Sequence, residues 1–427
     1  MTYSSGSDVE SPRLSRLSKE LLKGCVQDTR EFWQEIEQGG SPLIEIPEGA
    51  DEALVTFLWH GGDALQGVAV IGPLVGMDSA ENQLTRMGHA DIWYKTYRLP
   101  LGVRGRYWFS FGDPASFDQD VQWEDIFSHW ARDPLNPNVF RDLWYVAEHD
   151  IHEVLVSILG VPPGSAVARQ IEIPEVGPMA PTEHQLRSEL LRNERRVWVY
   201  TPFDCGTDEV GVVVFLDGHA YLHLMSATRT LDTLIGRGLI PPLVAVFVDS
   251  LGPLREVELP CNSLFADFLA DELLPWISHQ YAVSSDPGLR IIVGSSYGGL
   301  AAAFAALRRP DAFGNVLSQS GSFWWRPDGD SEHEFLARQA AESSLCPIRF
   351  SLDVGLLETE ALPQAPSQLL ANRHLRTVLR ARGYHVDYME FLGSHDEVCW
   401  SETLSDGLVA LASSWPNATR FWTSAES

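Results

Sequence analysis

The sequence predicts an α/β chain: an open, doubly wound sheet in the second half, preceded by an all-β sandwich of the immunoglobulin-like kind. Two patterns and the length carry this. From about residue 190 onward, short β-branched runs alternate with helix-period segments, as in an open sheet with helices on both faces. Across residues 45–176 the apolar runs are separated instead by Gly, Asp and Pro turns, the mark of a sandwich. At 427 residues, with 44% hydrophobic and 10% aromatic content, the chain can bury a core in each half.

Before the sandwich, residues 1–44 read as a helical extension, with Leu14, Leu17, Leu21, Leu22, Val26, Phe32, Trp33 and Ile36 spaced for one or two amphipathic helices. The period then changes. Leu54–Trp59, Gly67–Ile71, Asp91–Leu99 and Arg104–Phe111 read as strands, and Arg132 Asp133 Pro134 Leu135 Asn136 Pro137 as a rigid loop. Val161 Pro162 Pro163 Gly164 leads into a connector reaching about Thr182, and a catalytic domain is expected over residues 177–427.

In that domain the expected strands are Val197–Tyr200, Val212–Leu216, Leu243–Val248, Arg290–Val293, Asn315–Ser318, Ile348–Val354 and His385–Phe391. The expected helices are Ser263–Gln280, Gly298–Arg309, Gln364–Arg382 and Glu402–Ser414. One junction stands out. Ile291 Ile292 Val293 runs into Gly294 Ser295 Ser296 Tyr297 Gly298 Gly299 and then an Ala-rich helix, so Gly294-x-Ser296-x-Gly298 fits a nucleophile elbow between strand and helix. A turn that tight excludes bulky neighbours and pushes the Ser296 hydroxyl clear of the sheet.

A serine nucleophile needs a base, and the base needs an orienting acid. His395 follows the last expected strand, and Glu358 follows the strand before it, giving the chain order Ser, acid, His of an α/β-hydrolase. Asp353 and Asp396 are rival acids, the first reading more simply as a strand end and the second as a loop residue or helix cap. Asp217 Gly218 closes another strand. The Gly218 N–H, with that of Tyr297, is the expected oxyanion hole, the plainer reading of Asp217 Gly218 being an ordinary turn.

The net charge of −27 argues against nucleic acid and anionic membrane surfaces as partners. No apolar run is long enough to span a membrane, and Met1–Glu10 lacks the basic head and apolar stretch of a secretion signal, so a cytoplasmic location is expected. Cys25, Cys205, Cys261, Cys346 and Cys399 are scattered without metal-ligand spacing and read as free, mostly buried thiols; no protein metal site and no cofactor are expected.

Several motifs together resemble the enterochelin (enterobactin) esterases. They are Leu216 Asp217 Gly218; Asp249 with Arg255, Glu258 and Leu259; Glu272 Leu273 Leu274 Pro275 Trp276; the elbow; Ser318 Gln319 Ser320 Gly321 Ser322 Phe323 Trp324 Trp325; and His395 Asp396 with Cys399 Trp400. In the first half Thr56–Trp59, Met87, Asp91–Trp93, Arg104–Tyr107 and Asp133–Pro137 resemble that family's N-terminal domain. Gly393 Ser394 His395 Asp396, where Gly Gly His Asp is commoner, and His219 Ala220 Tyr221 depart from its pattern.

The resemblance implies a serine esterase that opens the trilactone of a ferric tricatecholate siderophore, with the iron arriving as part of the substrate. Ser296 would be its nucleophile, His395 its general base and acid, and Glu358 the orienter, although some relatives run on a Ser–His dyad. An anionic substrate calls for local positive charge: Arg255 is the first candidate, with Arg104 and Arg106, while a structural ion pair with Glu256, Glu258 or another carboxylate is the plainer reading of Arg255. Trp324, Trp325 and Trp400 are candidates to stack on catechol rings, against a simple packing role, and Phe323 reads as core. Two other functions fit less of the sequence. They are a general or feruloyl-type carboxylic ester hydrolase, and a binding module with an inert hydrolase fold.

Overall fold

The computed structural model describes residues 11–23, 27–112, 128–145, 151–162, 180–202, 209–360 and 365–416. The chain forms two units: Met1–Trp144 with His152–Gln170 and Leu392–Asp396, and Tyr145–Ile151 with Ile171–Phe391 and Glu397–Ser427.

The first unit begins with helices Pro12–Leu21 and Gln27–Gly39. Ser11 caps the first by accepting the Leu14 N–H at 3.1 Å, and Pro12 sits where a missing N–H costs nothing. Leu14, Leu17, Phe32, Trp33 and Ile36 are buried with Leu58 and Ile92 of the sheet that follows. The helical segment expected to stand apart is therefore part of this unit.

Its strands are β1 (Leu43–Glu45), β2 (Glu52–His60), β3 (Val68–Ile71), β4 (Thr85–Arg86), β5 (Ile92–Pro100), β6 (Arg104–Phe111), β7 (Trp130–Ala131), β8 (Val139–Tyr145) and β9 (Ile151–Gly160). They form one sheet in the order β1-β2-β5-β4 and another in the order β3-β6-β9-β8, with β7 beside β6. Facing rings join the two: Phe57 meets Tyr107 at 4.8 Å and Trp59 meets Phe109 at 5.0 Å, each edge to face. The Pro-flanked loop is fixed by polar contacts. Tyr107 donates to Asp133 Oδ2 at 2.8 Å, and Asn136 Nδ2 donates to the Tyr107 hydroxyl at 2.9 Å and to Ile158 O at 2.8 Å.

The second unit is an eight-stranded sheet of β10 (Thr182–Ser188), β11 (Asn193–Tyr200), β12 (Gly211–Phe215), β13 (Leu243–Val248), β14 (Arg290–Ser295), β15 (Asn315–Gln319), β16 (Arg349–Gly355) and β17 (His385–Phe391). Its order is β10-β11-β13-β12-β14-β15-β16-β17, with β10, β11 and β13 antiparallel neighbours and every other pairing parallel. Both faces are covered, as a parallel sheet requires. Val212, Val214 and Leu216 join the core on one side; Val213 and Phe215 join the core on the other. Strand order reverses at β12 and β14, and ligands of doubly wound sheets bind beyond the carboxyl ends at such a point.

One expected element is corrected. Ser263–Gln280 is not a continuous α-helix: helices Ser263–Phe268 and Leu274–Gln280 flank a π-helical turn over Leu269–Leu273. Pro275 has no N–H to donate back along the helix, so the ladder widens just ahead of it.

Candidate active site

Ser296 lies between β14 and the helix Tyr297–Arg308 with φ 55° and ψ −122°, a conformation that a residue with a side chain adopts only when its surroundings force it. The surroundings here are two crossing backbones. A Cβ on Gly294 would stand 2.3 Å from the Gly298 carbonyl carbon and oxygen, so only glycine lets the helix start this close to the strand it follows. The Ser296 N–H donates to Gln319 O at 3.0 Å, and the Ser322 N–H donates to Ser296 O at 3.0 Å. The Ser296 and Ser322 hydroxyl oxygens are 3.3 Å apart.

Both expected oxyanion donors open a helix. Tyr297 is the first residue of Tyr297–Arg308, and Gly218 the first of Gly218–His223, so neither N–H has an acceptor in its own helix. The two helices leave neighbouring strands, for Val293 of β14 pairs with Phe215 of β12 and its carbonyl accepts the Leu216 N–H at 2.9 Å. Gly218 is dictated by space: a Cβ there would fall 2.4 Å from the Phe247 carbonyl carbon and 2.5 Å from the Val248 nitrogen.

Asp217, at φ 52°, is no ordinary turn residue. Its carboxylate accepts from Arg255 Nε at 2.8 Å, Arg255 Nη2 at 2.7 Å and Ser250 Oγ at 2.5 Å. This revises Arg255. The guanidinium expected to attract substrate is held in a bidentate pair, as its plainer reading has it, and the carboxylate is that of Asp217. It also lies over the Tyr297 ring, 5.8 Å from the centroid.

Glu358 is buried beyond the carboxyl end of β16, where its Oε1 accepts the Ser320 hydroxyl at 2.5 Å and the Gly355 N–H at 2.7 Å. Its two rivals sit elsewhere. Asp353 is inside the sheet, beside Gln319 Nε2 at 3.4 Å, and burial pushes its carboxyl up to about 7. Asp396 is fully buried in the first unit, accepting the Arg106 N–H at 2.8 Å and pairing with Arg106 Nε at 3.1 Å. His395 is half-buried in the loop Leu392–Asp396, between β17 and the helix Glu397–Ala412. That loop groups with the first unit.

Two expected substrate contacts are corrected. Arg106 is 7% exposed and pairs with Asp142 at 2.8 Å as well as with Asp396, so it is a structural cation and cannot offer its charge to a ligand. Trp400 is buried in the core beneath the sheet and donates its indole N–H to Ser320 Oγ at 3.0 Å, which leaves no ring face for a catechol. Trp324 and Trp325 are half-buried: Trp324 donates to Gln368 Oε1 at 2.6 Å with its ring 6.0 Å from Tyr297, and Trp325 meets Phe335 edge to face. Arg104 is exposed on β6, and Phe323 is fully buried. Cys399 is buried and Cys261 and Cys346 half-buried, all three free thiols, whereas Cys25 and Cys205 lie outside the described residues. Among the described residues no cluster of His, Cys, Asp and Glu is arranged to hold a metal ion, and no helix is long and apolar enough to cross a membrane.

Two family models match the chain: "Enterochelin esterase, N-terminal" over residues 54–162 and "Putative esterase" over residues 188–411. An iron(III) enterobactin esterase of Escherichia coli O6:H1 is 30% identical over 346 residues, covering 78% of this chain and 82% of the relative. The chain belongs to the enterobactin esterase family. An iron(III) enterobactin esterase of Dickeya dadantii is 28% identical, with 91% of this chain and 94% of that one aligned. Among solved structures, the ferric enterobactin esterase of Salmonella typhimurium superposes with a TM-score of 0.74 at 28% identity, covering 90% of this chain and 98% of that one. The Shigella flexneri enterobactin esterase, crystallised in the presence of enterobactin, superposes at 0.70 with 28% identity, covering 86% and 95%.

Several motif residues of this enterobactin esterase family member hold the scaffold rather than the site. Glu258 pairs with the fully buried Arg195 at 2.8 Å, Asp249 pairs with Arg196 at 2.8 Å, and Glu272 accepts from Ser188 Oγ at 2.5 Å and from the Glu189 and Leu190 N–H groups at 3.1 Å. The residues missed by sequence are Ser320, Ser322, Gln319 and Gln368. Three of them fall within one quoted motif, and the signal was there: hydroxyl and amide side chains at the end of a buried strand beside the elbow.

Proposed function

We propose that the chain is a serine esterase that hydrolyses the ester bonds of a ferric tricatecholate trilactone siderophore of the enterobactin kind, and that it does so in the cytoplasm. The observation that carries this is a left-handed Ser296 at the C-terminal end of the sheet in a chain that aligns nearly end to end with iron(III) enterobactin esterases. Ser296 Oγ attacks a lactone carbonyl. His395, placed by chain order after the last strand, takes the serine proton and returns it to the departing seryl hydroxyl, and Glu358 fixes the imidazole. The Gly218 and Tyr297 N–H groups receive the oxyanion. Water then releases the acyl-enzyme by the same steps.

The purpose follows from chelation. Three catechols on one ring bind iron with a large effective concentration, and cutting the ring removes that advantage, so the iron becomes easier to reduce and release. The metal is cargo, and the chemistry needs none held by the protein. Trp324 and Trp325 are the proposed aromatic contacts for catechol. The two sheets of the first unit support an immunoglobulin-like sandwich as its fold.

The test is mass spectrometry of products after incubating ferric enterobactin with the protein and with Ser296→Ala. Linear trimer, dimer and monomer with the unmutated protein alone are expected. Intact trilactone with both, alongside hydrolysis of a small aryl ester, would replace this reading with that of a general carboxylic ester hydrolase.

A further inference from the structure

Ser320 has every polar atom engaged, and the direction of each bond is fixed. It is fully buried after β15 with φ 46°, in the left-handed region that favours glycine. Its N–H donates to Asp353 O at 2.8 Å, and its carbonyl accepts from Gln368 Nε2. The hydroxyl lies 3.0 Å from Trp400 Nε1 and 2.5 Å from Glu358 Oε1. An indole N–H can only donate, so Ser320 Oγ must be the acceptor there, and its single proton is directed to Glu358. With the Gly355 N–H at 2.7 Å, Glu358 Oε1 then receives two donors in a buried setting, which fixes the carboxylate plane and the direction of the other oxygen.

We infer that Ser320 is a positioning residue for the reaction: polarised by Trp400, it holds Glu358 in the orientation in which that carboxylate steadies the catalytic imidazole. This rests on Glu358 as the triad acid, and it gives the buried Trp400 a part in catalysis that needs no contact with substrate. A donor to a carboxylate draws on part of its charge, so losing it leaves more negative charge facing the imidazolium, and the acid limb of the activity profile moves to higher pH.

The experiment measures kcat, KM and the pH profile of kcat/KM on a small aryl ester for Ser320→Ala, Trp400→Phe, the double variant and Glu358→Gln, each checked for folding by its melting curve. Ser320→Ala is expected to lower kcat about 10-fold with KM unchanged, the loss of one charge-assisted bond, and to move the acid limb of the profile up by about half a unit. Trp400→Phe keeps one six-membered aromatic ring and removes the donor with the rest of the indole, so a smaller loss of about 3-fold is expected, with the double variant no worse than Ser320→Ala because both act through one bond. If Ser320→Ala does not fold, the kcat and acid-limb shifts of Trp400→Phe decide alone. Glu358→Gln with a loss of about 100-fold or more, together with unchanged kcat and pH profile in Ser320→Ala, would overturn the role of Ser320 only. Unchanged kcat in Glu358→Gln would overturn the acid assignment and this inference with it.

Discussion

Ser296 holds its place in the turn at a cost in backbone energy. Its φ of 55° and ψ of −122° put it where a residue with a Cβ carries about 1–3 kcal/mol of strain, and glycine there would lose about 0.5–1 kcal/mol of that relief to the greater freedom of its unfolded chain. The difference still favours glycine. Ser296→Gly is therefore expected to abolish hydrolysis while raising the melting temperature by a few degrees, whereas Ser296→Ala, which keeps the Cβ, abolishes hydrolysis without that gain. Calorimetry of the two variants checks this, and equal melting points would show that the angles cost nothing. Asp217 and Ser320 share the left-handed conformation, and each holds it with side-chain bonds, to Arg255 and Ser250 in one case and to Glu358 and Trp400 in the other.

At the next scale, the crossing of β14 and the helix after it depends unequally on its two glycines. A Cβ on Gly294 meets backbone at 2.3 Å, which can yield only by separating strand from helix. At Gly298 the nearest atom is Asp217 Oδ2 at 3.1 Å, a side-chain atom that a few tenths of an ångström would clear. Gly294→Ala should cost about 3 kcal/mol or more and Gly298→Ala about 1 kcal/mol, read from urea midpoints; the reverse order would mean that the crossing is not set by this contact.

The same elements show what local pattern reveals. The elbow was legible because strand, turn and helix are contiguous and each has its own period. Edge strand β10 was left unassigned, since Thr182–Ser188 buries a single large apolar residue, Leu186, and so shows no alternation. The π-helical turn was hidden because Pro275 sits inside an otherwise regular apolar period. Ser320 and Trp400 could be quoted as motif residues but not joined, because their bond links positions 80 residues apart. Arg106 and Arg255 were recognised as cations, yet only the fold could say that Asp396, Asp142 and Asp217 already hold them.

For the molecule as a whole, pH acts on a group deep in the second unit. The Asp353 carboxyl is raised by burial from its ordinary 3.8 to about 7. Between those values the folded protein holds a proton that the unfolded chain has released, so stability falls as pH rises through the window and the loss is complete above about 7. Asp353→Asn cannot ionise, and its stability relative to the unmutated protein, read from urea midpoints, should climb steadily from pH 4.5 to 7.5, by up to a few kcal/mol. Parallel curves would mean that Asp353 stays ionised in the fold. Burial acts in the opposite sense on His219, lowered to about 4: there the unfolded chain binds the extra proton, and stability is lost as pH falls below the ordinary value of 6.5.

The eight-stranded sheet of the second unit is open, and a sheet that does not close leaves two rows of backbone groups able to recruit a strand from another molecule. Both rows are guarded. On β10, Glu183 and Arg187 are exposed along a short strand. On β17, Glu390 pairs at 2.6 Å with Arg373 of the helix Gln368–Ala381, the guanidinium of Arg376 from the same helix lies 4.4 Å from the centre of the Tyr388 ring, and His385 and Asp387 pair at 3.3 Å. A neighbouring strand would have to strip water from these polar groups before gaining a hydrogen bond, so the layout that sets Ser296 at the ends of the strands also keeps the sides of the sheet resistant to polymerisation.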